Sequence, residues 1–156
     1  MIGAREFLIA YNVNLATENT KIGEKIAGII RESGRLVKRE GRTIRIPGLL
    51  KSVKAFGLKE VAQVSMNLTN FKVTPIHLAY ETVKSLAGLA GVEVLNSEIV
   101  GLVPKEAILD TGRFYLPEET SDSELIASAI RNLKLKDFIP EEKIIEFLIA
   151  RHGRGD

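Results

Sequence analysis

Polar and apolar side chains alternate along residues 62–70, whose sequence is AQVSMNLTN. Successive residues of a strand point to opposite faces of a sheet, so this pattern predicts a strand with one buried and one polar face. The buried positions are Val64, Met66 and Leu68, and the polar positions are Gln63, Ser65 and Asn67. Amides and hydroxyls both donate and accept hydrogen bonds, which suits contact with a flat polar ligand. The alternative is a row of side chains that is merely solvated.

A second strand with the same signature is predicted over residues 7–15, FLIAYNVNL. One face is wholly apolar, whereas the other carries Asn12 and Asn14 near the end of the strand. Asparagine is depleted in strands, so two of them at alternate positions need a cause. We interpret Asn12 as a contact residue, and Asn14 as either a contact or a turn residue before Thr17.

Helix caps and glycine positions predict the elements between these strands. A helix capped by Thr17 or Asn19 runs to about Ser33. The basic segment 35–47 shows no periodicity and is predicted to be a mobile loop. Residues 49–56 and 61–68 then form a hairpin.

The second half of the chain is predicted to be mainly helical. Thr74 and Pro75 open a helix that closes near Gly88 and Gly91, and an extended stretch, broken near residues 96–98, follows over 92–103. Further helices begin at Pro104, at Ser121 and Asp122, and at Pro140. The chain is thus expected to form one domain over residues 1–150, with a disordered tail, RHGRGD, at 151–156.

The order of elements predicts an α+β fold of the ferredoxin-like type. Two helices between paired strands give a split βαββαβ arrangement in which both helices cover one face of an antiparallel-rich sheet, and C-terminal helices follow. The other face stays open and needs a second layer from a partner domain or subunit. The residues expected on that open face are Asn12, Asn14, Gln63, Ser65 and Asn67.

Composition narrows the class of protein. The 156 residues are 45 % hydrophobic and include no cysteine, so one core can form and disulfides, thiolate metal sites and a cysteine nucleophile are excluded. The apolar runs are far shorter than the roughly 20 residues that span a bilayer. We therefore expect a soluble, cytoplasmic protein without a membrane partner.

Charge is distributed unevenly. Residues 21–60 contain eleven Lys or Arg and four Glu, whereas residues 93–146 contain six basic and twelve acidic residues. This separation favours an anionic partner at the basic end. Lys51 and Lys54 belong to that region and are candidate ligand contacts, although lysines on an edge strand also prevent aggregation. Glu98 interrupts an apolar strand and either orients a ligand nitrogen or points to solvent.

Three long strings of the sequence carry a family resemblance. GAREFLIAYNVNL at 3–15, AQVSMNLTNFKVTPIH at 62–77 and EIVGLVPKEAILD at 98–110 occur in this order. Together they resemble the C-terminal subdomain of glutamate formiminotransferase, over essentially the whole chain. Members of that family usually carry an aromatic-containing insertion after a sequence like KSVKAFG (51–57), and here the turn is short.

The resemblance implies a function in histidine degradation and one-carbon metabolism. The family's transferase unit moves a formimino group between glutamate and tetrahydrofolate, and folate lies in a groove between two similar subdomains. Its catalytic histidine belongs to the N-terminal subdomain, which this sequence does not contain. The expectation is a folate-binding half without catalytic residues or a metal, active only with that other half, and forming a homodimer or a complex with it.

Other functions remain open from the residues. One alternative is a non-enzymatic module whose basic segment binds RNA or an acidic protein. The polar strands lack the paired aromatic residues that stack on bases, so a nucleic-acid partner is the weaker prediction. A part of another folate-handling enzyme is a further one. His77 has no partner carboxylate or nucleophile in the nearby sequence, so we expect a helix-surface or sheet-edge role for it.

Overall fold

A computed structural model describes the backbone of residues 7–154 and the side chains of residues 7–153. Residues 1–6 and 155–156, which include the start of the predicted domain and the end of the predicted tail, lie outside the described part. The elements in chain order are β1 (Ile9–Leu15), α1 (Thr20–Ile30), β2 (Arg35–Arg39), β3 (Arg42–Ile46), β4 (Val53–Gly57), β5 (Gln63–Leu68), α2 (Ile76–Leu89), β6 (Val94–Val100), α3 (Lys105–Tyr115), α4 (Asp122–Asn132), α5 (Pro140–Lys143) and α6 (Ile145–Arg154).

Four strands form the main sheet in the order β4-β5-β1-β6. Every neighbouring pair is antiparallel. The chain crosses from β1 to β4 through α1 and the β2-β3 segment, and from β5 to β6 through α2. This is the predicted split βαββαβ arrangement, so the α+β, ferredoxin-like prediction is confirmed.

The core lies between this sheet and the helices. Ile9, Tyr11 and Val13 of β1 are fully buried, as are Val64 and Leu68 of β5. The buried stripes of α1 and α2 pack against these residues. Because strand side chains alternate, burying one face of β1 and β5 leaves their polar residues on the other face.

The two crossover helices begin differently from each other. Asn19 caps α1, with its Oδ1 accepting a hydrogen bond from Lys21 N at 3.1 Å. Thr74 does not cap α2, although the sequence predicted that Thr74 and Pro75 open this helix; its Oγ1 instead donates to Lys51 O at 2.6 Å. The helix starts directly after Pro75, and no side chain caps it.

The C-terminal helices pack against each other and against the edge of the sheet. Gly112 of α3 lies so close to α4 that a Cβ there would be 2.1 Å from Leu125 O. Ser97 of β6 forms a parallel bridge with Leu135, which extends the sheet beyond β6. Helix α6 continues to Arg154, so residues 151–154 are helical where the sequence predicted a disordered tail. Within the described range, no helix is long and apolar enough to cross a membrane.

The predicted mobile loop at 35–47 is wrong, because β2 and β3 form a hairpin there. Val37 pairs with Ile44, and these β-branched residues favour strands. Glu40 and Gly41 both have positive φ, 51° and 76°, which is the geometry of a type I′ hairpin turn. Strand β6 is likewise continuous through residues 96–98, where a break was predicted.

Candidate functional site

The helices leave one face of the main sheet uncovered, and we call it the open face. Residues that pair directly in an antiparallel sheet share a face. The rows across β5, β1 and β6 are Asn67, Ala10 and Val100; Ser65, Asn12 and Glu98; and Gln63, Asn14 and Asn96. Lys54 and Phe56 extend the first two rows onto β4. Seven of the eight residues predicted as binding residues therefore lie on this face.

Three amides of the third row form a chain of hydrogen bonds, which we call the amide relay. Gln63 Nε2 donates to Asn14 Oδ1 at 2.7 Å. Asn14 Nδ2 donates in turn to Asn96 Oδ1, also at 2.7 Å. Asn14 lies on the strand between the other two, so it alone can reach both. This makes Asn14 a structural link as well as a candidate contact.

The middle row contains a second polar pair. Ser65 Oγ donates to Asn12 Oδ1 at 2.9 Å. Glu98 is half-buried and lies beside Asn12 on β6. A carboxylate next to a carboxamide can receive donors from a ligand while Asn12 Nδ2 supplies one. The row can therefore bind a ligand that carries both kinds of hydrogen-bonding group.

A cleft of about 640 Å³ opens at the relay end of the open face. All three relay residues line it, together with charged side chains from neighbouring loops. These charged residues are Glu18, Glu60 and Lys136. The cleft thus offers neutral amides in its wall and charges of both signs around it.

The opposite end of the open face carries Lys54. This lysine is exposed and contributes to a second recess of about 460 Å³, which Glu32, Ser52 and Thr69 also line. Lys51, the eighth predicted binding residue, does not share this face. It lies in a turn before β4, because Ser52 has a positive φ of 58° and the strand starts only at Val53.

The β2-β3 hairpin adds further positive charge. Five cationic residues occur in its two strands, and Glu40 in the turn is the single acidic residue between Arg35 and Ile46. The cations are Arg35, Lys38, Arg39, Arg42 and Arg45. Among the ion pairs found between described side chains, none includes one of them. The exposed hairpin is therefore a concentrated positive surface.

His77 lies in the helical layer, away from the open face. Its ring stacks on Phe114 with centroids 4.3 Å apart, and Nδ1 is 3.4 Å from Thr111 Oγ1. Burial lowers the pKa of His77, while the negative charges of Asp110 and Glu81 oppose that shift. These contacts join α2 to α3, and they place the hydroxyl of Thr111 beside the imidazole.

Sequence reasoning missed several residues around the cleft. Asn96 was not selected, because the stretch around it was interpreted as broken. Alternation of Asn96, Glu98 and Val100 along one unbroken strand is the signal that could have identified it. Glu18, Glu60 and Lys136 lie in loops, where no periodic pattern marks them. In the part of the chain that the structure describes, no group of three His, Asp or Glu side chains is arranged to hold a metal ion.

Comparison with known proteins places the chain among related transferases. The family model described as the formiminotransferase domain matches residues 10–150. The chain is 51 % identical to glutamate formimidoyltransferase of Thermoplasma acidophilum over 118 residues, covering 74 % of this chain and 35 % of that protein. It is 41 % identical to the enzyme of the same name from Streptococcus pyogenes serotype M1 over 125 residues, 78 % of this chain and 38 % of that protein.

A longer relative is matched across nearly the whole chain. Formimidoyltransferase-cyclodeaminase of Gallus gallus is 41 % identical over 158 aligned positions, which cover 94 % of this chain and 28 % of that protein. The matches thus cover only 28 % to 38 % of the length of these three relatives. Because the family model covers most of the sequence, the resemblance seen in the three strings is confirmed, and the chain belongs to the formiminotransferase domain family.

Proposed function

We propose that this chain is the folate-binding half of a glutamate formiminotransferase, which transfers a formimino group between glutamate and tetrahydrofolate. The observation that carries the proposal is the open face, a sheet surface of amides and hydroxyls in a member of this family. The catalytic acid or base would come from an N-terminal subdomain or subunit. This half would contribute to the rate by capturing and positioning the folate.

The electrostatics of the open face support a folate ligand. Asn12, Ser65 and the amide relay can match the donors and acceptors of a pterin ring without burying a charge. Lys54 at the other end suits the glutamate carboxylates of a folate. Tetrahydrofolate is a substrate in this proposal, and no metal is needed for the role of this half.

Apolar side chains on the same face support a covering partner. Leu8, Phe56 and Val100 are each more than half exposed. An exposed sheet face that mixes such residues with polar groups is a typical interface. We propose that the open face packs against an N-terminal-type subdomain or a second copy, with folate between the layers.

The test is a calorimetric titration of the chain with reduced folate, alone and after addition of an N-terminal subdomain from a related enzyme. We expect weak, salt-sensitive binding to the chain alone, because one wall leaves much of the ligand hydrated. Formimino transfer should appear only in the mixture. Light scattering that shows a strict monomer unaffected by the added subdomain would contradict the proposal.

Two variants separate binding from stability. Both Asn12→Ala and Asn67→Ala should weaken folate binding. Asn67→Ala should change the free energy of unfolding by less than about 0.5 kcal/mol, since its side chain is partly exposed. Asn12→Ala also removes the bond from Ser65 Oγ and should lower it by about 1 kcal/mol. Ser85→Ala is the matched control, because Ser85 is an exposed polar residue of α2 in the helical layer. Loss of stability with unchanged folate binding would show that the asparagines serve the fold instead.

The basic hairpin favours a second candidate function, binding of RNA by a non-enzymatic module. Four of its five cations are arginines, which pair with phosphates through two parallel hydrogen bonds. Tighter binding to generic single-stranded RNA than to folate in the same titration would favour this candidate. Reduction of that binding by Arg39→Gln and Arg42→Gln, with folate binding unchanged, would assign it to the hairpin.

A further inference from the structure

The β2-β3 hairpin stands apart from the core of the molecule. No residue in either of its strands is buried. A two-stranded hairpin by itself is only marginally stable in water and needs a further layer to pack against. Its base is held by Arg45, whose Nη1 donates to Ser33 O at 2.6 Å. The remainder of the hairpin therefore has the character of a segment that packs against another molecule.

One face of this hairpin combines apolar and cationic side chains, and we call it the arginine face. Residues that pair directly share a face, as do residues two apart in one strand. Val37 pairs with Ile44 in the middle of this face, and Arg39 pairs with Arg42 at its tip. Ile44 is 43 % exposed, and both arginines are exposed. Such a face fits a partner surface with an apolar floor and an acidic rim.

The C-terminal helices contain a surface of this kind, which we call the acidic groove. It consists of two recesses of about 260 Å³ and about 460 Å³. Glu141 and Phe147 line both recesses, so the two adjoin. Asp122 and Ile126 line the smaller recess, and Arg151 lines the larger one. The groove thus has an apolar floor with a charged rim.

The rim of the acidic groove is predominantly negative. The segment 117–146 contains eight acidic and four basic residues. Two of the four basic side chains are used elsewhere, because they donate to backbone carbonyl groups of β6; these are Lys134 and Lys143. Asp122 is neutralised by Lys105 at 2.9 Å. Glu141 and Glu142 are exposed, and neither takes part in an ion pair within the described part of the chain.

We propose that the arginine face of one copy of this chain docks in the acidic groove of a second copy. The two tip arginines pair with Glu141 and Glu142 at the rim. Ile44 packs on Phe147 in the floor. The chain itself carries both complementary surfaces, which is why the occupant is another copy.

The positions of the two surfaces determine the type of contact. The hairpin precedes β4 at one edge of the main sheet, whereas the C-terminal helices follow the segment that pairs with β6 at the opposite edge. Each copy therefore uses its hairpin toward one neighbour and its groove toward another. A head-to-tail contact of this kind builds rings or filaments and does not close at a dimer. It uses neither the open face nor its cleft, so it is independent of folate binding.

Two neutralising variants test the contact by sedimentation velocity. One combines Arg39→Gln with Arg42→Gln, and the other combines Glu141→Gln with Glu142→Gln. The wild type should form species larger than a dimer as its concentration rises, and these should dissociate between about 0.05 M and about 0.5 M sodium chloride, because salt screens exposed charges. Each variant alone should associate about tenfold more weakly, which is the combined effect of two exposed ion pairs.

Mixing the two variants is the decisive measurement. The mixture has one intact hairpin and one intact groove per pair of chains, so a one-to-one complex should form and should not grow further. The matched control combines Lys21→Gln with Lys84→Gln, which removes two exposed lysines of α1 and α2 and should sediment as the wild type does. Circular dichroism of every variant confirms that the fold is retained.

Cross-linking locates the contact, because the chain has no cysteine of its own. Thr43→Cys lies beside the tip of the hairpin, and Ser123→Cys lies in the smaller recess of the groove. A short bismaleimide should join these two variants when they are mixed, and it should join neither one to itself. Ser85→Cys, on an exposed position of α2, should give no product with Thr43→Cys.

Three outcomes would overturn the proposal. The first is a wild type that never exceeds a dimer at any concentration, and the second is a mixture of the two neutralising variants that remains unassociated. The third is loss of RNA binding in the hairpin variant with unchanged sedimentation, which would assign the arginines to RNA. Folate binding to the same samples would be unaffected by each of these results, so the proposed function would stand or fall separately.

Discussion

Gly23 holds α1 against the strand that carries the candidate site, and its replacement by alanine should disturb both packing and site. A Cβ at Gly23 would lie 2.8 Å from Gln63 O and 3.3 Å from both Gln63 N and Gln63 C. These are backbone atoms of β5, so no rotation of a side chain relieves the contact. The helix or the strand must move.

The expected loss of stability follows from two opposing effects. Alanine in a helix is favoured over glycine by about 1 kcal/mol. Overpacking a buried contact usually lowers stability by about 1 to 3 kcal/mol. The upper value, about 3 kcal/mol, applies here because the added Cβ would meet backbone atoms, which cannot rotate away. Gly23→Ala should therefore lower the free energy of unfolding by about 2 kcal/mol. For a domain of this size the midpoint of thermal unfolding should fall by about 4 to 8 °C.

Gly88→Ala is the control for the propensity effect. Gly88 lies in α2, and a Cβ there would meet nothing within 4 Å. This variant should be more stable than the wild type by up to about 1 kcal/mol. Circular dichroism gives both midpoints, and the side-chain NMR signals of Gln63 should change only in Gly23→Ala. A Gly23→Ala midpoint equal to that of Gly88→Ala would refute the view that α1 and β5 are packed rigidly.

Two further predictions concern buried titratable groups. Tyr11 Oη is fully buried without a partner among the described residues, so Tyr11→Phe should raise the free energy of unfolding by about 1 kcal/mol. Tyr115→Phe removes the 2.6 Å hydrogen bond to Glu81 and should lower the free energy of unfolding by about 1 kcal/mol. Urea denaturation of both variants checks these opposite signs. Burial lowers the pKa of His77 below that of the unfolded chain, so the unfolded state takes up protons more readily and stability should fall as the pH drops from about 7.5 to about 5.5. His77→Phe keeps an aromatic ring beside Phe114 and should flatten that dependence of the unfolding midpoint on pH; an equally steep fall in the variant would assign it to other groups.

The strands of the main sheet were predictable because their polar residues alternate with strongly apolar ones. The β2-β3 hairpin was missed because arginines flank its few β-branched residues, and because Glu40 is an unusual residue at a position with positive φ. The turn before β4 could not be predicted from a local pattern either. It depends on Ser52, whose backbone N–H donates to the side chain of Glu32, twenty residues earlier in the sequence.

The candidate site was predictable only in part, for a reason that lies in the register of the sheet. The faces of β1 and β5 follow from alternation within each strand. The amide relay instead requires Asn14 to pair with Asn96 across 82 residues of sequence. A shift of one residue would turn Asn96 to the covered face, and no pattern within a single strand fixes that choice.

The positions of the charges on the open face determine how much desolvation free energy a partner layer must overcome to cover that face. Lys54 lies on β4 and Glu98 on β6, the outer strands of the four, whereas the open-face residues of the inner strands β5 and β1 are neutral. Burying an unpaired charge costs far more than burying a hydrogen-bonded amide. A partner layer centred on β1 and β5 would therefore desolvate three amides that already have partners, those of Asn12, Asn14 and Gln63, and would leave both charges at a wet rim. The same alternation keeps the core on the other side of β1, so recognition at Asn12 and Asn14 can change without repacking Tyr11 and Val13.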